Sequence, residues 1–545
     1  MKVIVVGGVA GGASAAARLR RLNEHAEIII LEKERYISYA NCGLPYYLGE
    51  VIKNRDELFI QTPEDMKIRF NIDVRTESEV TAINTEEKTV TVKSKTGGIY
   101  RESYDYLVLS PGARAFRPNI PGINSDRVLT LKNIPDTDTI KYLIDVKGMK
   151  SAAVIGGGFI GIETAENLAK KGISVTVVEL FPHILAQFDE DIAVLLEKEL
   201  VKNGINLFLN TYVTAIDEKE DKLEVSLSNG ERIIADFVIA AAGIVPDTDF
   251  LKGSGIELGP KGHIIVNERM QTNVENVYAV GDAVEVVDFV NGQKTAIPLA
   301  GPANKQGRTA ADNIAGINSV YKGTQGTSII KVFSLTAACT GNNEKNLKRF
   351  NIPYKSVYIH PMSHASYYPG ASPMTLKLLF DEQGKILGAQ GVGLGGVDKR
   401  IDVIATAIRF NGTVNDLAEL ELSYAPPYSS AKDPVNIAGF VAQNYLAGLS
   451  HLITWDDFMR LNRDDYVLVD VRTESEYRKG HIEGAVNIPV DDIRKRLHEL
   501  DRDKTIVVYC QVGYRGYIAD RILSQNGFKV LNITGGYKSG LPRGM

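Results

Sequence analysis

Two stretches of this 545-residue chain share one pattern, and together they fix most of what it can fold into. Val3-Ile4-Val5-Val6 reads as a buried parallel strand, Gly7-Gly8-Val9-Ala10-Gly11-Gly12 as a turn opening a helix, and residues 27–31 as a second strand closed by Glu32. The pattern returns as a strand over 152–155, the turn Gly156-Gly157-Gly158-Phe159-Ile160-Gly161, a helix over 162–171 and a strand over 174–178 closed by Glu179. Strand, glycine turn, helix, strand, acid is the arrangement that seats a pyrophosphate on a helix N-terminus and offers a carboxylate to ribose hydroxyls. The second copy has glycine at 156, 158 and 161, whereas Val9 takes the central position of the first and restricts the approach of a pyrophosphate. Glu179 accepts two ribose hydroxyls and repels a 2′-phosphate, which predicts NADH, with NADPH the lesser choice. Two such units in one chain predict one flavin and one nicotinamide.

Length predicts three or four domains. A formal charge of -5 gives neither nucleic acid nor an anionic membrane a reason to bind. Three cysteines, Cys42, Cys339 and Cys510, are too few for a disulfide framework and point to a reducing, cytoplasmic setting. Residues 1–17 imitate a signal peptide, with Lys2, an apolar run and small residues, yet cleavage there would remove half of a nucleotide site. The sequence has no apolar run of about 18 residues, so no transmembrane helix is expected.

Ser38-Tyr39-Ala40-Asn41-Cys42-Gly43-Leu44-Pro45-Tyr46 follows the first unit and holds the only cysteine of the first 338 residues. Alone, Cys42 reads as a small buried hydrophobe, the usual fate of a free cysteine. Its neighbours argue otherwise. Leu109-Ser110-Pro111-Gly112-Ala113 and Ala241-Ala242-Gly243-Ile244-Val245-Pro246 read as strand-to-loop crossings, and Asn276-Val277-Tyr278-Ala279-Val280-Gly281-Asp282-Ala283 follows them. In this order of motifs, roughly residues 1–445 resemble the two-dinucleotide-binding-domain flavoprotein disulfide reductases. The resemblance implies FAD on the first unit, at Gly7, Gly8, Val9, Ala10, Gly11 and Gly12, then Glu32 and Lys33, then Ser110, Pro111 and Gly112. It adds Gly281, Asp282, Pro298 and Ala300, with Asp282 bonding the flavin ribityl chain. On the second unit it implies NADH at Gly156, Gly158, Phe159, Ile160 and Gly161, and at Glu163, Glu179 and Gly243, with Phe159 gating the nicotinamide pocket. No metal is implied.

The superfamily's C-x-x-x-x-C redox disulfide is absent around Cys42. Single-cysteine members are NADH oxidases and peroxidases or coenzyme A-disulfide reductases, and Ser38-Tyr39-Ala40-Asn41-Cys42 resembles the S-x-x-N-C pattern of the latter. That resemblance implies a homodimer, coenzyme A contacts at Ser14, Arg18, Arg21, Ser38, Asn41, Asn304 and Lys432, and catalytic tyrosines at Tyr367 and Tyr424 that reach the partner's cysteine. Arg18 and Arg21, three residues apart, share one helix face, and cationic side chains suit the phosphates of coenzyme A. One family contact, a lysine, is Phe70 here. Cys339 matches no functional position.

Beyond Gly448-Leu449-Ser450 the chain changes character. Residues 466–472 and 505–509 read as strands, and the second ends in Cys510-Gln511-Val512-Gly513-Tyr514-Arg515, with Asp470-x-Arg472 upstream. This segment resembles a single rhodanese domain, whose C-x-x-G-x-R loop cradles a thiolate or persulfide with backbone N–H groups and Arg515. The expected architecture is α/β: two Rossmann-like domains (FAD, 1–113 and 246–324; NAD(P)H, 114–245), an α+β dimerisation domain (325–446) and an α/β rhodanese domain (451–545). The expected activity is FAD-dependent, NADH-driven reduction of coenzyme A disulfide, coenzyme A persulfide or polysulfide. Cys42 attacks the S–S bond and Cys510 carries sulfane sulfur. An oxidase or peroxidase working through a Cys42 sulfenic acid is the rival enzyme, and a flavin-bearing redox sensor or sulfur carrier is the rival without turnover.

Overall fold

The computed structural model describes residues 1–540 and divides into two units. One comprises residues 1–184 and 201–324, the other residues 185–200 and the chain from 325 onward. The final residues of the expected rhodanese segment, 541–545, lie outside the described residues.

In the first unit, the apolar runs form two five-stranded parallel sheets. One has the order Val277–Ala279, Tyr106–Leu109, Lys2–Val6, Glu27–Leu31, Asp73–Arg75. The other runs Asn206–Phe208, Ser174–Val178, Ser151–Ile155, Phe237–Ala240, Val128–Leu129. Val3, Ile4 and Val5 are fully buried, as are Ala153 and Val154, which is why these strands read as continuous rather than alternating apolar runs.

The two glycine turns obey the same steric rule. Gly7 has φ +93, and a Cβ there would stand 2.1 Å from the Ser110 carbonyl oxygen; Gly156 has φ +110, and its Cβ would stand 2.4 Å from that of Ala241. In both places the chain leaves one strand against the end of its neighbour, which only glycine permits. The second helix spans Phe159–Lys170, not 162–171. Its first turn absorbs residues assigned to the loop, because Gly158 in extended backbone is already the N-cap.

The second unit contains an antiparallel sheet of order Ser328–Val332, Leu335–Gly341, Ile386–Gly393, Met374–Phe380, Lys355–Ile359. It also contains a parallel sheet of order Leu452–Ile453, Val530–Ile533, Thr505–Tyr509, Tyr466–Asp470, Val486–Asn487. The strand expected over 466–472 stops at Asp470, because Arg472 turns back to bond the Asp470 carboxylate, with distances of 2.7–3.0 Å. No helix among the described residues is long and apolar enough to cross a membrane.

Candidate active site

Both dinucleotide turns end on helices whose N-termini carry no side-chain cap, Ala10–Leu22 after Val9 and Phe159–Lys170 after Gly158. Their first N–H groups are thus left for an acceptor from outside. The acids sit beside them. Glu32 Oε2 accepts the Gly8 N–H at 2.8 Å and Oε1 that of Glu34 at 2.9 Å, and burial pushes its carboxyl upward. Glu179 repeats this with Gly157 at 2.5 Å and Phe181 at 2.8 Å. A Cβ at Gly158, the position matching Val9, would meet no protein atom within 4 Å. Gly112 and Gly243, at φ +69 and +119, face equally open ground. Ala300 opens a third uncapped helix, Ala300–Ile314, just past Pro298. Gln306 on that helix accepts the Gly281 N–H at 2.8 Å, and Lys132 stands 3.8 Å from Asp282. Lys33 is paired with Asp247. Two open helix N-termini, each with a buried acid and an open glycine cradle, fit FAD and NAD(P)H.

Cys42 sits in a single 3-10 turn, Asn41–Gly43, ahead of the helix Leu44–Leu48. Its side chain is exposed. Desolvation by surrounding groups, then the negative charges of Glu163 and Asp282, push its thiol above the ordinary cysteine range, against the pull of its own backbone N–H and Lys132. Glu163, itself shifted upward by burial, accepts a 3.0 Å hydrogen bond from Tyr46. Sequence reasoning gave Tyr46 no role, because its partner lies 117 residues away. Glu163→Gln keeps this bond and removes the charge, so Cys42 should titrate lower. Alkylation of Cys42 at neutral pH should then run severalfold faster and its pH profile move to lower pH. An unchanged profile would show that Glu163 does not act on the thiol.

A cavity of about 370 Å³ opens between the first glycine-turn helix, the helix Pro63–Phe70 and the helix from Ala300. Ser14, Arg18, Arg21, Ser38 and Asn304 all line it. Ser14 donates to Asn304 at 2.5 Å, and Arg18 is bonded to Asp312 at 2.7 Å. Phe70, where the family has lysine, supplies an apolar wall beside Met66, and Arg308, which sequence reasoning missed, adds a cation. Asn41 turns its amide to the Lys132 carbonyl, at 3.2 Å. Ser38 is held at φ +44 by its Gly8 and Ile60 backbone bonds. Four residues of chain keep it within about 14 Å of Cys42.

In the second unit, the Tyr367 and Tyr424 hydroxyls are 3.0 Å apart on the surface, with Tyr367 75% exposed. Their hydrogen bond shifts the Tyr367 pKa upward. Buried Arg400 ties their two loops together, through the Ser363 carbonyl at 2.9 Å, Ser429 at 3.1 Å and Asp433 at 3.0 Å. Lys432 lies exposed beside that tether. Cys510 is fully buried at the end of its strand, and its Sγ accepts the Gly513 N–H at 3.1 Å. Arg515 does not stand free over it. Its Nη1 and Nη2 each donate to Glu476 at 2.7 Å, which holds that carboxyl down at about 2.

Paired dinucleotide turns, a lone exposed cysteine beside them and a second cysteine in an N–H-lined loop define a nucleotide-linked thiol oxidoreductase with an appended sulfur-handling domain. Family comparison agrees. Residues 1–307 match the pyridine nucleotide-disulphide oxidoreductase family, 327–434 its dimerisation domain, and 456–541 the rhodanese-like domain. The chain belongs to the pyridine nucleotide-disulphide oxidoreductase family, and such enzymes use FAD and NAD(P)H. It is 51% identical to the reduced Bacillus anthracis CoADR-RHD, with TM-score 0.97 over 99% of this chain and 98% of that one. It is 40% identical to the NAD-dependent persulfide reductase from A. fulgidus, with TM-score 0.92 over 98% and 99%. The coenzyme A disulfide reductase of Staphylococcus aureus (strain bovine RF122 / ET3-1) is 40% identical over 445 residues, 81% of this chain and all of that one.

Proposed function

We propose that the protein is an NADH-dependent reductase of coenzyme A persulfide and coenzyme A disulfide, working as a cytoplasmic homodimer. The observation that carries this reading is the cationic cavity of Arg18, Arg21 and Arg308, joined by four residues of chain to the exposed Cys42. Three guanidinium groups beside polar Ser14 and Asn304 suit a nucleotide with phosphates, and the adjoining chain leads a tethered thiol toward Cys42.

The Cys42 thiolate attacks one sulfur of the substrate. A new S–S bond forms on Cys42, the substrate S–S bond breaks and the other sulfur leaves as a thiolate or hydrosulfide. FAD, when bound, supplies a two-electron relay from NADH to that new bond. For a persulfide, the balance is NADH + H⁺ + R–S–SH giving NAD⁺ + R–SH + H₂S. Glu163 and Asp282 oppose the thiolate, and hydrogen-bond donors would add to the compensation that Lys132 supplies. The paired phenols of Tyr367 and Tyr424, exposed on the domain that matches the dimerisation family, suit that task for the partner's cysteine. The Cys510 loop accepts sulfane sulfur and keeps the substrate pool supplied. The oxidase reading leaves the rhodanese-like domain without work.

The cavity's role is tested by Arg21→Ala. KM for coenzyme A disulfide should rise about tenfold, a loss of about 1.4 kcal/mol, with KM for bis(hydroxyethyl) disulfide unchanged. Equal effects on both substrates would remove coenzyme A from the cavity.

A further inference from the structure

The Cys510 loop is not held by its own domain alone. Residues 534–539 form a bracket behind it: the Tyr537 N–H donates to the Cys510 carbonyl at 2.7 Å and the Lys538 N–H to that of Gln511 at 3.0 Å. Anchoring these two carbonyls fixes the peptide planes on one side of the loop. The opposite side presents the Gly513 N–H to Cys510 Sγ. The bracket is in turn gripped from the antiparallel sheet. The Tyr358 N–H donates to Thr534 Oγ1 at 3.0 Å, and the two ring nitrogens of His360 meet Ser539 Oγ at 2.8 Å and Thr375 Oγ1 at 3.0 Å. Desolvation holds the His360 ring neutral, with a pKa of about 3, so one nitrogen donates and the other accepts, and hydroxyls serve both.

Two consecutive glycines transmit this grip. A Cβ on Gly535 would stand 2.8 Å from Tyr358 Cβ, and one on Gly536 would stand 2.3 Å from the Cys510 carbonyl oxygen and 3.0 Å from the amide nitrogens of Val512 and Gly513. Trp455 clamps the same turn by donating to the Gly536 carbonyl at 3.0 Å. One face of the bracket thus touches the antiparallel sheet and the other touches the nucleophile's loop, with no slack between them.

We infer that Tyr358, His360 and Thr534 are positioning residues for sulfur transfer at Cys510: the antiparallel sheet sets the loop geometry that receives the sulfur. The inference rests on Cys510 being the sulfur acceptor. In that step the Cys510 thiolate attacks the outer sulfur of R–S–SH, a new S–S bond forms on Cys510, the donor's S–S bond breaks, R–S⁻ leaves and Cys510–S–SH remains. Misplaced N–H groups would slow this step without changing the entry of the donor.

The test uses the full-length protein without NADH, with glutathione persulfide as donor and mass analysis of the Cys510 peptide. Thr534→Val deletes one hydroxyl at nearly constant volume, and His360→Leu breaks the second contact. Each should lower the loading rate at saturating donor about tenfold and leave the half-saturating concentration unchanged. Thr534→Ser should restore the rate, and NADH oxidation with coenzyme A disulfide should stay within twofold throughout. Loading at the parent's rate in both variants would overturn the inference. If the parent itself does not load Cys510, the sulfur-acceptor reading fails. Amide exchange across 510–513 then decides the positioning claim separately: the claim requires faster exchange in Thr534→Val, and unchanged exchange sinks it.

Discussion

Replacing Cys42 with serine should abolish turnover of coenzyme A disulfide and persulfide, by at least about a thousandfold, while NADH should still reduce the bound flavin. No other thiol can stand in. Cys339 is buried, and desolvation pushes it up to about 11; Cys510 belongs to the rhodanese-like domain, outside the segment that carries both dinucleotide turns. A serine hydroxyl is not ionised at neutral pH and forms no S–S bond, so electrons that reach the flavin have nowhere to go. Stopped-flow flavin bleaching under anaerobic conditions, followed by addition of coenzyme A disulfide, separates the two halves. Reoxidation by the disulfide at the parent's rate would show that Cys42 is not the nucleophile.

The second large effect concerns stability. Lys377 is 1% exposed in the second unit and bonds three carboxylates: Asp189 at 2.8 Å, Glu344 at 2.9 Å and Asp191 at 3.1 Å. Burial would raise Glu344, but the Lys377 charge and hydrogen bond reverse this and hold it at about 2, while Asp189 is shifted upward by its desolvation. Lys377→Met leaves these carboxylates facing one another without their cation, at a cost of about 3–5 kcal/mol. That corresponds to roughly 10 °C in the midpoint of the unit's thermal transition. The sign with pH follows from linkage. In the parent, the low Glu344 value gives stability that is present above its ordinary 4.5 and lost as pH falls toward about 2. In the variant the stranded carboxylates have raised values, so its deficit is largest at neutral pH and narrows as pH falls toward 4. Scanning calorimetry of both proteins at pH 7 and pH 4.5 reads this, and an equal deficit at both would rule out the charge explanation.

These residues also mark where sequence reading stops. The parallel strands were legible because Val3–Val6 and Ala152–Ile155 are unbroken apolar runs ending in glycine, a pattern that few other structures require. Arg18 and Arg21 were legible as one face because helical spacing places them there, and both line the cavity; Ser14 was reached only through the family resemblance. Lys377 carried no such signal. It stands in Met374–Phe380, every residue of which is buried, and its partner Asp191 is 186 residues earlier. Arg400, the tether of the tyrosine loops, and Tyr46, the partner of Glu163, went unread for the same reason: local periodicity says nothing of a polar group's distant partner. The Glu476–Arg515 pair was half legible. Arg515 stands in a recognisable motif, but its bidentate bond to Glu476 is a tertiary fact.

The most direct test of the functional account is anaerobic NADH oxidation by the purified protein, with coenzyme A persulfide and coenzyme A disulfide supplied separately and sulfide assayed. The account predicts fast turnover with the persulfide and one sulfide released per NADH consumed. Turnover with oxygen or peroxide but with neither coenzyme A substrate would contradict it and establish the oxidase chemistry of a Cys42 sulfenic acid instead.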